Sequence, residues 1–234
     1  MSLIKEIYSN YSRFSSNVNV NIEQNNKYFD LELKKINKIK EKKIIEIGYG
    51  RGFFLDWAKK EKLDIIGYEI NKEFHNNAKN KHNVKLGDGK NIFANISKKF
   101  DLIVLFDVVE HIEKNELLDF FNNLSKLLNK NGEILLRFPN GSSPTGLEFF
   151  NSDLTHVTFL NKRSIEMIAK MTKFELTYFD NMERVKFFRS IKGKLFGRFM
   201  YFFRDLLELF YGQLYFGERI PLDPNVIAIL KKNN

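Results

Sequence analysis

Apolar positions along this chain switch between two spacings, and each switch marks the boundary of a predicted element. Short runs rich in Ile, Val and Leu read as buried strands, and between them apolar residues recur every three or four positions, as in amphipathic helices. The predicted strands are residues 43–47, 64–69, 83–87, 101–106, 133–138, 174–180 and 225–231; the predicted helices are 26–41, 51–61, 71–81, 90–97, 113–129 and 162–172. Alternating strands and helices indicate an α/β fold with a parallel sheet, right-handed crossovers and helices on both faces.

The first strand runs into a glycine-rich turn, Glu46-Ile-Gly-Tyr-Gly-Arg-Gly52, directly before a helix. Glycine allows positive φ and lets a ligand approach without meeting a Cβ, and the helix N-terminus offers unpaired N–H groups. The second strand ends at Glu69, where a carboxylate can accept both hydroxyls of a ribose. The third runs into Gly87-Asp88-Gly89. These strand ends predict a nucleotide-like cofactor at the carboxyl edge of the sheet.

In these motifs the chain resembles the class I S-adenosylmethionine-dependent methyltransferases. Glu46 to Gly52 is similar to their first motif, Glu69 to their ribose-binding acid and Gly87-Asp88 to their adenine-side pair. The resemblance implies S-adenosylmethionine as methyl donor and S-adenosylhomocysteine as product. It also implies cofactor contacts by Glu46, Gly48, Tyr49, Gly50, Gly52, Glu69, Ile70, Asp88, Gly89, Phe106 and Asp107.

Two later segments extend the resemblance to the small-molecule branch of that family. Residues 100–112 are similar to its fourth strand and following loop, and 127–136 to its fifth strand, with Lys130-Asn131-Gly132 where Pro-Gly-Gly is usual. The implied fold is a doubly wound, seven-stranded, mostly parallel Rossmann-like sheet with an antiparallel last strand and a helical insertion. The predicted units are a leader (1–24), the cofactor-binding core (25–183), the insertion (184–219) and the final core strand (220–234).

Methyl transfer to an alcohol requires a base, because the hydroxyl must lose its proton as it attacks. Residues 139–160 form a predicted loop over the active-site edge, and within it His156 follows Asp153 by three residues. A similar Asp-x-x-His is found in methyltransferases that tailor glycans. We therefore predict His156 as base, Asp153 as the group that orients it, and Asp107, at the end of strand four, near the methyl group. The alternative is that the loop His and Asp only fix backbone groups. His75 and His82 are predicted to lie at the surface, away from the strand ends.

The segment Asp107-Val-Val-Glu110-His111 raises the question of a metal ion. A similar acid-x-x-Glu-His in the ubiquinone-type O-methyltransferases is associated with one, and two carboxylates and an imidazole form a plausible ligand set. We predict no metal, with Glu110 and His111 capping and packing the helix start, and Asp107, Glu110 and His111 as the candidates should one bind.

Composition excludes several classes of protein. The chain has no cysteine, which removes disulfides, thiolate metal sites and a cysteine nucleophile. It shows no signal peptide and no long uncharged apolar run, so a cytoplasmic location, peripheral to the inner membrane surface if the insertion binds lipid, is expected. The net charge of +9 suggests an anionic partner such as nucleic acid or a membrane surface, although a coding bias toward Lys explains the charge equally well.

The insertion is predicted as a pair of basic, aromatic helices over residues 184–217. Residues 184–198 hold six basic and no acidic residues, and aromatic residues recur at helical spacing at Phe188, Phe196, Phe199, Phe203 and Phe210. Such an apolar stripe must be buried. Packing on the protein or on a sister subunit in a homodimer is the preferred interpretation, ahead of an anionic membrane surface. Nucleic acid is the least favoured partner.

The acceptor is predicted from resemblance alone. Enzymes that methylate base amino groups place Asn/Asp-Pro-Pro-aromatic after strand four, and this chain has Asp107-Val-Val-Glu110. The whole layout is most similar to bacterial methyltransferases of surface-glycan sugars, which implies O-methylation of a sugar or glycan precursor. Two alternatives remain open: an RNA methyltransferase that uses the basic insertion, and a non-catalytic protein that binds S-adenosylmethionine or S-adenosylhomocysteine.

Overall fold

The computed structural model describes residues 7, 21–87, 93, 96, 98–185 and 191–233, with backbone alone at 191–194. Its strands are β1 (Lys43–Ile47), β2 (Asp64–Glu69), β3 (Val84–Leu86), β4 (Phe100–Phe106), β5 (Leu128–Pro139), β6 (Phe174–Asn181) and β7 (Asn225–Lys232). Its helices are α1 (Ile22–Glu32), α2 (Phe53–Lys60), α3 (Lys72–Ala78), α4 (Leu117–Leu127), α5 (Pro144–Asn151), α6 (Lys162–Met171) and α7 (Ile191–Phe216).

The strands form one seven-stranded sheet in the order β3-β2-β1-β4-β5-β7-β6. The first five run parallel, and β7 is antiparallel to both β5 and β6. This confirms the predicted fold, a mostly parallel Rossmann-like sheet whose last strand is reversed. Since β6 runs parallel to β5, it ends at the carboxyl edge of the sheet, and β7 begins there. The connection between them therefore starts and ends at the edge where ligands bind.

The core has two layers because alternate strand residues face opposite sides of the sheet. On one side Ile44, Leu102 and Val104 pack against the aromatic side chains of α1 and α2, among them Phe29 and Trp57. On the other, Ile45, Ile103 and Leu105 pack against α4 and α6. Both faces are covered, which explains why the central strands read as continuous apolar runs instead of alternating ones.

Several predicted boundaries shift. The helix predicted at 26–41 begins and ends earlier, as α1, and two 3-10 turns follow, with Lys38 between them at φ 52°. β5 starts at Leu128, five residues before its predicted start. The loop at 139–160 contains α5, which Ser143 caps by accepting from Thr145 N and which has a proline in its first turn. Because α5 is short and contains Gly146, the spacing of apolar residues did not predict it. The helix predicted at 90–97 lies mostly outside the described residues, as does most of the leader 1–24.

The predicted pair of helices in the insertion is wrong over the described residues. Ile191–Phe216 is one continuous helix of 26 residues, α7. No turn signal strong enough to break a helix lies within it, since Gly197 and Gly212 are tolerated in a helix interior at a modest cost. The domain boundaries proposed from the sequence remain predictions.

Candidate active site

The turn after β1 is shaped by three glycines with positive φ: Gly48 at 77°, Gly50 at 49° and Gly52 at 78°. A Cβ on Gly48 would lie 2.6 Å from Cγ2 of Val108, so this position is closed to any side chain. A Cβ on Gly50 would meet nothing within 4 Å. The backbone at Gly50 therefore borders open space, and Gly52 starts α2 as its N-cap residue. A ligand can lie directly against this turn.

Glu69 joins the ends of β1 and β2 through its carboxylate. Its Oε2 accepts from Gly50 N at 2.8 Å, and its Oε1 accepts from Ile70 N at 2.7 Å and Asn71 N at 2.9 Å. Burial raises the pKa of Glu69, and the three N–H donors work against that rise. A carboxylate offers about four lone-pair positions. Three are used, which leaves one on Oε2 for a hydroxyl donor such as a ribose.

Glu46 is a buried carboxylate near the same turn. Its side chain is 3% exposed and Oε2 has no hydrogen-bond partner. Burial, reinforced by the nearby charge of Glu69, raises its pKa to about 8. An unpaired buried acceptor is costly, so its persistence here indicates a group that is completed by a donor from a ligand. The ammonium of S-adenosylmethionine is a donor of that kind.

The remaining predicted cofactor contacts divide by exposure. Ile70 is 45% exposed beside Glu69 and presents an apolar surface. Tyr49 and Phe106 are buried: Tyr49 packs with Leu55 and Phe74, and the Phe106 ring stacks on Phe29. At Tyr49 only the backbone is therefore in position to meet a ligand. Asp88 and Gly89 lie outside the described residues.

Asp107 forms an ion pair that the sequence did not suggest. Its backbone is left-handed, with φ 58°, and both carboxylate oxygens accept from Arg137, one of them from Nε at 3.0 Å. The guanidinium lies 4.8 Å from the Phe106 ring centroid. Burial lowers the pKa of Arg137, but its partners, Asp107 foremost, together raise it by more than burial lowers it. The guanidinium therefore stays charged. Asp107 is thus committed to Arg137 in this structure. An arginine within the apolar strand β5 was the signal that it needed an acidic partner.

The loop after β5 is fastened to the turn after β4, and this brings the predicted histidines together. The carbonyl of Glu110 accepts from Val157 N at 2.9 Å and Thr158 N at 3.0 Å, and Thr158 Oγ1 donates to the carbonyl of Ile112 at 2.6 Å. As a result the rings of His111 and His156 meet edge to face, with centroids 4.7 Å apart.

His156 is oriented by backbone and not by Asp153, which corrects the predicted Asp-x-x-His pairing. Its Nδ1 lies 2.8 Å from the carbonyl oxygen of Phe150, which fixes Nδ1 as the donor and Nε2 as the acceptor. Asp153 instead accepts from Thr155, from N at 2.8 Å and from Oγ1 at 2.6 Å. Local bonds between neighbouring polar residues in a loop account for this preference.

Glu110 is the acidic partner that His156 has in the structure. Its side chain is 1% exposed, neither oxygen has a hydrogen-bond partner, and Oε1 lies 3.9 Å from Nε2 of His156. Burial, reinforced by Asp107, holds the pKa of Glu110 well above its usual range. Burial lowers the pKa of His111, and the nearby charge of His156 lowers it further. Nδ1 of His111 lies 3.0 Å from Thr155 Oγ1.

Glu110, His111 and His156 are also the group in the described part of the chain that could hold a metal ion, with one ligand atom from each residue within 4.8 Å of the others. This set differs from the metal ligands predicted from the sequence. Asp107 is paired with Arg137, and His156 stands in its place. His75 and His82 are not part of this cluster. Their predicted place at the surface, away from the strand ends, is not what the structure shows: His75 Nδ1 lies 3.4 Å from the hydroxyl of Tyr49 in the turn after β1, and His82 is covered, with its Nε2 2.9 Å from Asp56 Oδ1.

The fold and the strand-end residues define the class: a Rossmann-like methyltransferase with an S-adenosylmethionine site at the carboxyl edge. The sequence profile of a methyltransferase domain family matches residues 22–178, which is more than half of the chain, and the chain belongs to that family. No curated protein matches the sequence.

Solved structures agree on the fold at low sequence identity. A SAM-dependent methyltransferase from Archaeoglobus fulgidus is similar with a TM-score of 0.69 and 19% identity, covering 95% of this chain and 99% of the other. The magnesium protoporphyrin IX methyltransferase of Synechocystis PCC 6803 with bound SAH has a TM-score of 0.62 and 11% identity, covering 99% of each chain. The plantazolicin methyltransferase BpumL, also with SAH, has a TM-score of 0.57 and 18% identity, covering 99% and 89%.

The protein is therefore an S-adenosylmethionine-dependent methyltransferase. When bound, S-adenosylmethionine supplies an electrophilic methyl group on a sulfonium. The residues fit it by three separate features: the open backbone at Gly50, the remaining acceptor position on Glu69 and the unpaired carboxylate of Glu46.

Proposed function

We propose that this enzyme methylates a hydroxyl group of a small molecule, with His156 as the general base. The observation that carries the proposal is the orientation of the imidazole: Phe150 holds Nδ1–H, and Nε2 is left as the proton acceptor 3.9 Å from the buried Glu110. A positioned histidine base accounts for about 10²–10⁴-fold in rate.

Glu110 gives the base a partner for the charge that develops on it. Burial raises the pKa of its carboxyl, which favours the neutral form. When Nε2 takes the proton of the acceptor, Glu110 keeps its own proton, and its carboxyl oxygen 3.9 Å away stabilises the positive charge that develops on the imidazole. This arrangement supports alcohol methylation, which needs a base, more than methylation of a nucleophile that is already unprotonated.

We propose a sugar or glycan precursor as the acceptor. Support comes from the sequence resemblance. The magnesium protoporphyrin and plantazolicin enzymes show by their names that this fold accepts chemically different substrates, so the acceptor must be found by experiment.

The test is to incubate the protein with methyl-labelled S-adenosylmethionine and a fractionated bacterial extract. Label in the polysaccharide or nucleotide-sugar fraction supports the proposal, and label in RNA overturns it in favour of a nucleic-acid enzyme. No label in any fraction, together with measured binding of S-adenosylhomocysteine, contradicts catalysis and points to a binding protein.

The role of His156 is tested with the labelled fraction. We expect His156→Ala to leave S-adenosylhomocysteine affinity unchanged and to lower turnover by about 10²–10⁴-fold. His82→Ala is the matched control, because His82 also faces a carboxylate but lies outside the carboxyl edge. Equal turnover in the two variants would show that His156 is not the general base.

A further inference from the structure

Helix α7 turns its polar face toward the protein and its apolar face outward, the reverse of an ordinary surface helix. Its inner face, at positions spaced by three and four residues, carries Gly197, Arg204, Glu208 and Gly212. Its outer face carries large apolar side chains. A surface helix of a globular protein normally turns its apolar stripe inward. The stripe predicted from the sequence to pack on the protein or on a sister subunit is exposed on this chain.

Ion pairs fasten the inner face to the body of the protein. Glu208, 1% exposed, accepts from Arg184 at 2.6 Å, from Asn181 at 2.7 Å and from Arg219 at 2.7 Å. Arg204 pairs with Asp223. At Gly212 a Cβ would lie 2.2 Å from the carbonyl oxygen of Glu218, so the helix and the following loop touch backbone to backbone. Because buried charges are stable only when paired, these contacts fix which face points outward.

The outward face is apolar over an unusual area. Between Leu195 and Phe216, thirteen large apolar or aromatic residues are 44–71% exposed. The phenylalanines among them are Phe196, Phe199, Phe202, Phe203, Phe210 and Phe216. At roughly half exposure each, they present on the order of 1,000 Å², against about 300–600 Å² for the largest patch of an ordinary monomer. A surface of this size is a binding surface.

The breadth of the apolar face indicates what covers it. At about 100° per residue, eleven of the thirteen lie on the arc from Leu209 to Met200, about half of the circumference, and Phe216 and Tyr215 at the end of the helix lie outside it. A contact with one partner helix uses a stripe of about 100° and would leave the margins in water. A helix lying in the boundary between headgroups and acyl chains buries its apolar half, which matches the observed breadth.

Charge adds to the same conclusion. The sequence 184–198, which leads into and begins α7, has no acidic residue and has five basic residues besides Arg184, which is paired with Glu208; the chain carries a net charge of +9. Anionic lipid attracts basic residues next to an apolar helix. In the described parts of the chain, no helix is long and apolar enough to cross a membrane. The fitting position for α7 is therefore parallel to the surface.

We propose that α7 docks this protein on an anionic membrane surface through its exposed phenylalanine face. Because the connection that contains α7 starts and ends at the carboxyl edge of the sheet, docking places the edge that carries the cofactor turn and His156 on the membrane side. The acceptor would then be presented at the membrane. This inference goes beyond the proposed sugar chemistry, since docking is measured without any acceptor.

The experiment is vesicle flotation of the full chain with phosphatidylglycerol-containing and pure phosphatidylcholine vesicles. We expect the protein to float with the anionic vesicles and to be released in part by added salt, which screens the basic contribution. Replacing Phe199, Phe203 and Phe210 by Gln should lower the bound fraction by about tenfold or more. The matched control replaces Met167 and Met171, 63% and 59% exposed on α6, by Gln and should float like the unmodified protein.

Two results would overturn the proposal. One is the absence of flotation with either vesicle. The other is a dimer mass in light scattering that the three Phe→Gln changes reduce to a monomer mass, which would assign the face to a second copy of this chain. Retained S-adenosylhomocysteine binding by the variant verifies its fold. The labelling experiment tests the proposed function independently, so the two failures are distinguishable.

Discussion

The substitution Glu69→Gln tests the cofactor site by replacing one acceptor oxygen of residue 69 with an NH₂ group. The native carboxylate accepts three backbone N–H bonds, one from Gly50 at Oε2 and two, from Ile70 and Asn71, at Oε1. Glutamine has the same shape but only one acceptor oxygen. Its carbonyl best serves the two donors at Ile70 and Asn71, and its NH₂ group then faces the N–H of Gly50. A donor would meet a donor, and the acceptor position proposed for a ribose hydroxyl would be lost.

The size of the effect follows from that lost acceptor. A hydrogen bond to a charged group contributes about 1.5–3 kcal/mol. Removing the one directed at the ligand should weaken S-adenosylhomocysteine binding by roughly 10- to 150-fold, because about 1.4 kcal/mol corresponds to a factor of ten. The lost bond to Gly50 acts on the free protein too, and should lower its free energy of unfolding by about 1–3 kcal/mol.

Isothermal titration with S-adenosylhomocysteine near neutral pH measures the affinity, and thermal unfolding without ligand measures the stability. Glu61→Gln is the control, because Glu61 forms only a loose surface pair with Lys40 at 3.8 Å and should change neither quantity measurably. A Glu69→Gln protein that folds and binds within a factor of about two of the unmodified protein would refute the assigned role.

Three further predictions use the same assays. Because the folded-state pKa of Glu46 is raised to about 8, its contribution to stability is present in full at acidic pH and is lost as pH rises from the unfolded value toward 8. Glu46 should add a fall that approaches about 1.4 kcal/mol per pH unit, and Glu46→Gln should remove that part of the slope in thermal unfolding while the contributions of Glu69 and Glu110, whose pKa values are also raised, stay. An unchanged slope would show that Glu46 does not titrate in this range. Gly48→Ala, which meets a side chain at 2.6 Å, should cost about 2 kcal/mol or more of stability, whereas Gly50→Ala, which points into open space, should cost about 1 kcal/mol and weaken cofactor binding more; equal stabilities would contradict the difference in surroundings. Turnover should survive a strong chelator, since we assign His156 to proton transfer; loss of activity restored by Zn²⁺ or Mg²⁺ would move Glu110, His111 and His156 to metal binding.

The sequence alone determined the cofactor edge of this protein. The class of fold followed from the order of apolar strands and helices, and the positive φ at Gly48, Gly50 and Gly52 followed from local sterics. Glu69 could be placed beside that turn because parallel neighbours end at one edge. In each case the decisive interactions are within one element or between adjacent strands, where residue type and spacing carry the information.

Only the tertiary structure decided the partners of the acidic and histidine side chains. Asp107 meets Arg137 across 30 residues because β4 and β5 pair with Phe106 opposite Arg137. His111 meets Thr155 across 44 residues because the loop after β5 is fastened to the turn after β4. The spacing Asp153-x-x-His156 suggested a pair, but backbone donors and carbonyls nearby offered each residue a better bond. Contacts between distant segments depend on how loops close, which local patterns do not encode.

The outward face of α7 shows the same limit most clearly. Its aromatic spacing indicated an amphipathic helix, and the ordinary expectation is that the apolar side faces the core. The opposite orientation was decided by Glu208 and Arg204, whose partners Arg184, Arg219 and Asp223 come from flanking segments. A helix pattern defines two faces, but which of them is buried depends on the charges that the rest of the chain brings to meet it.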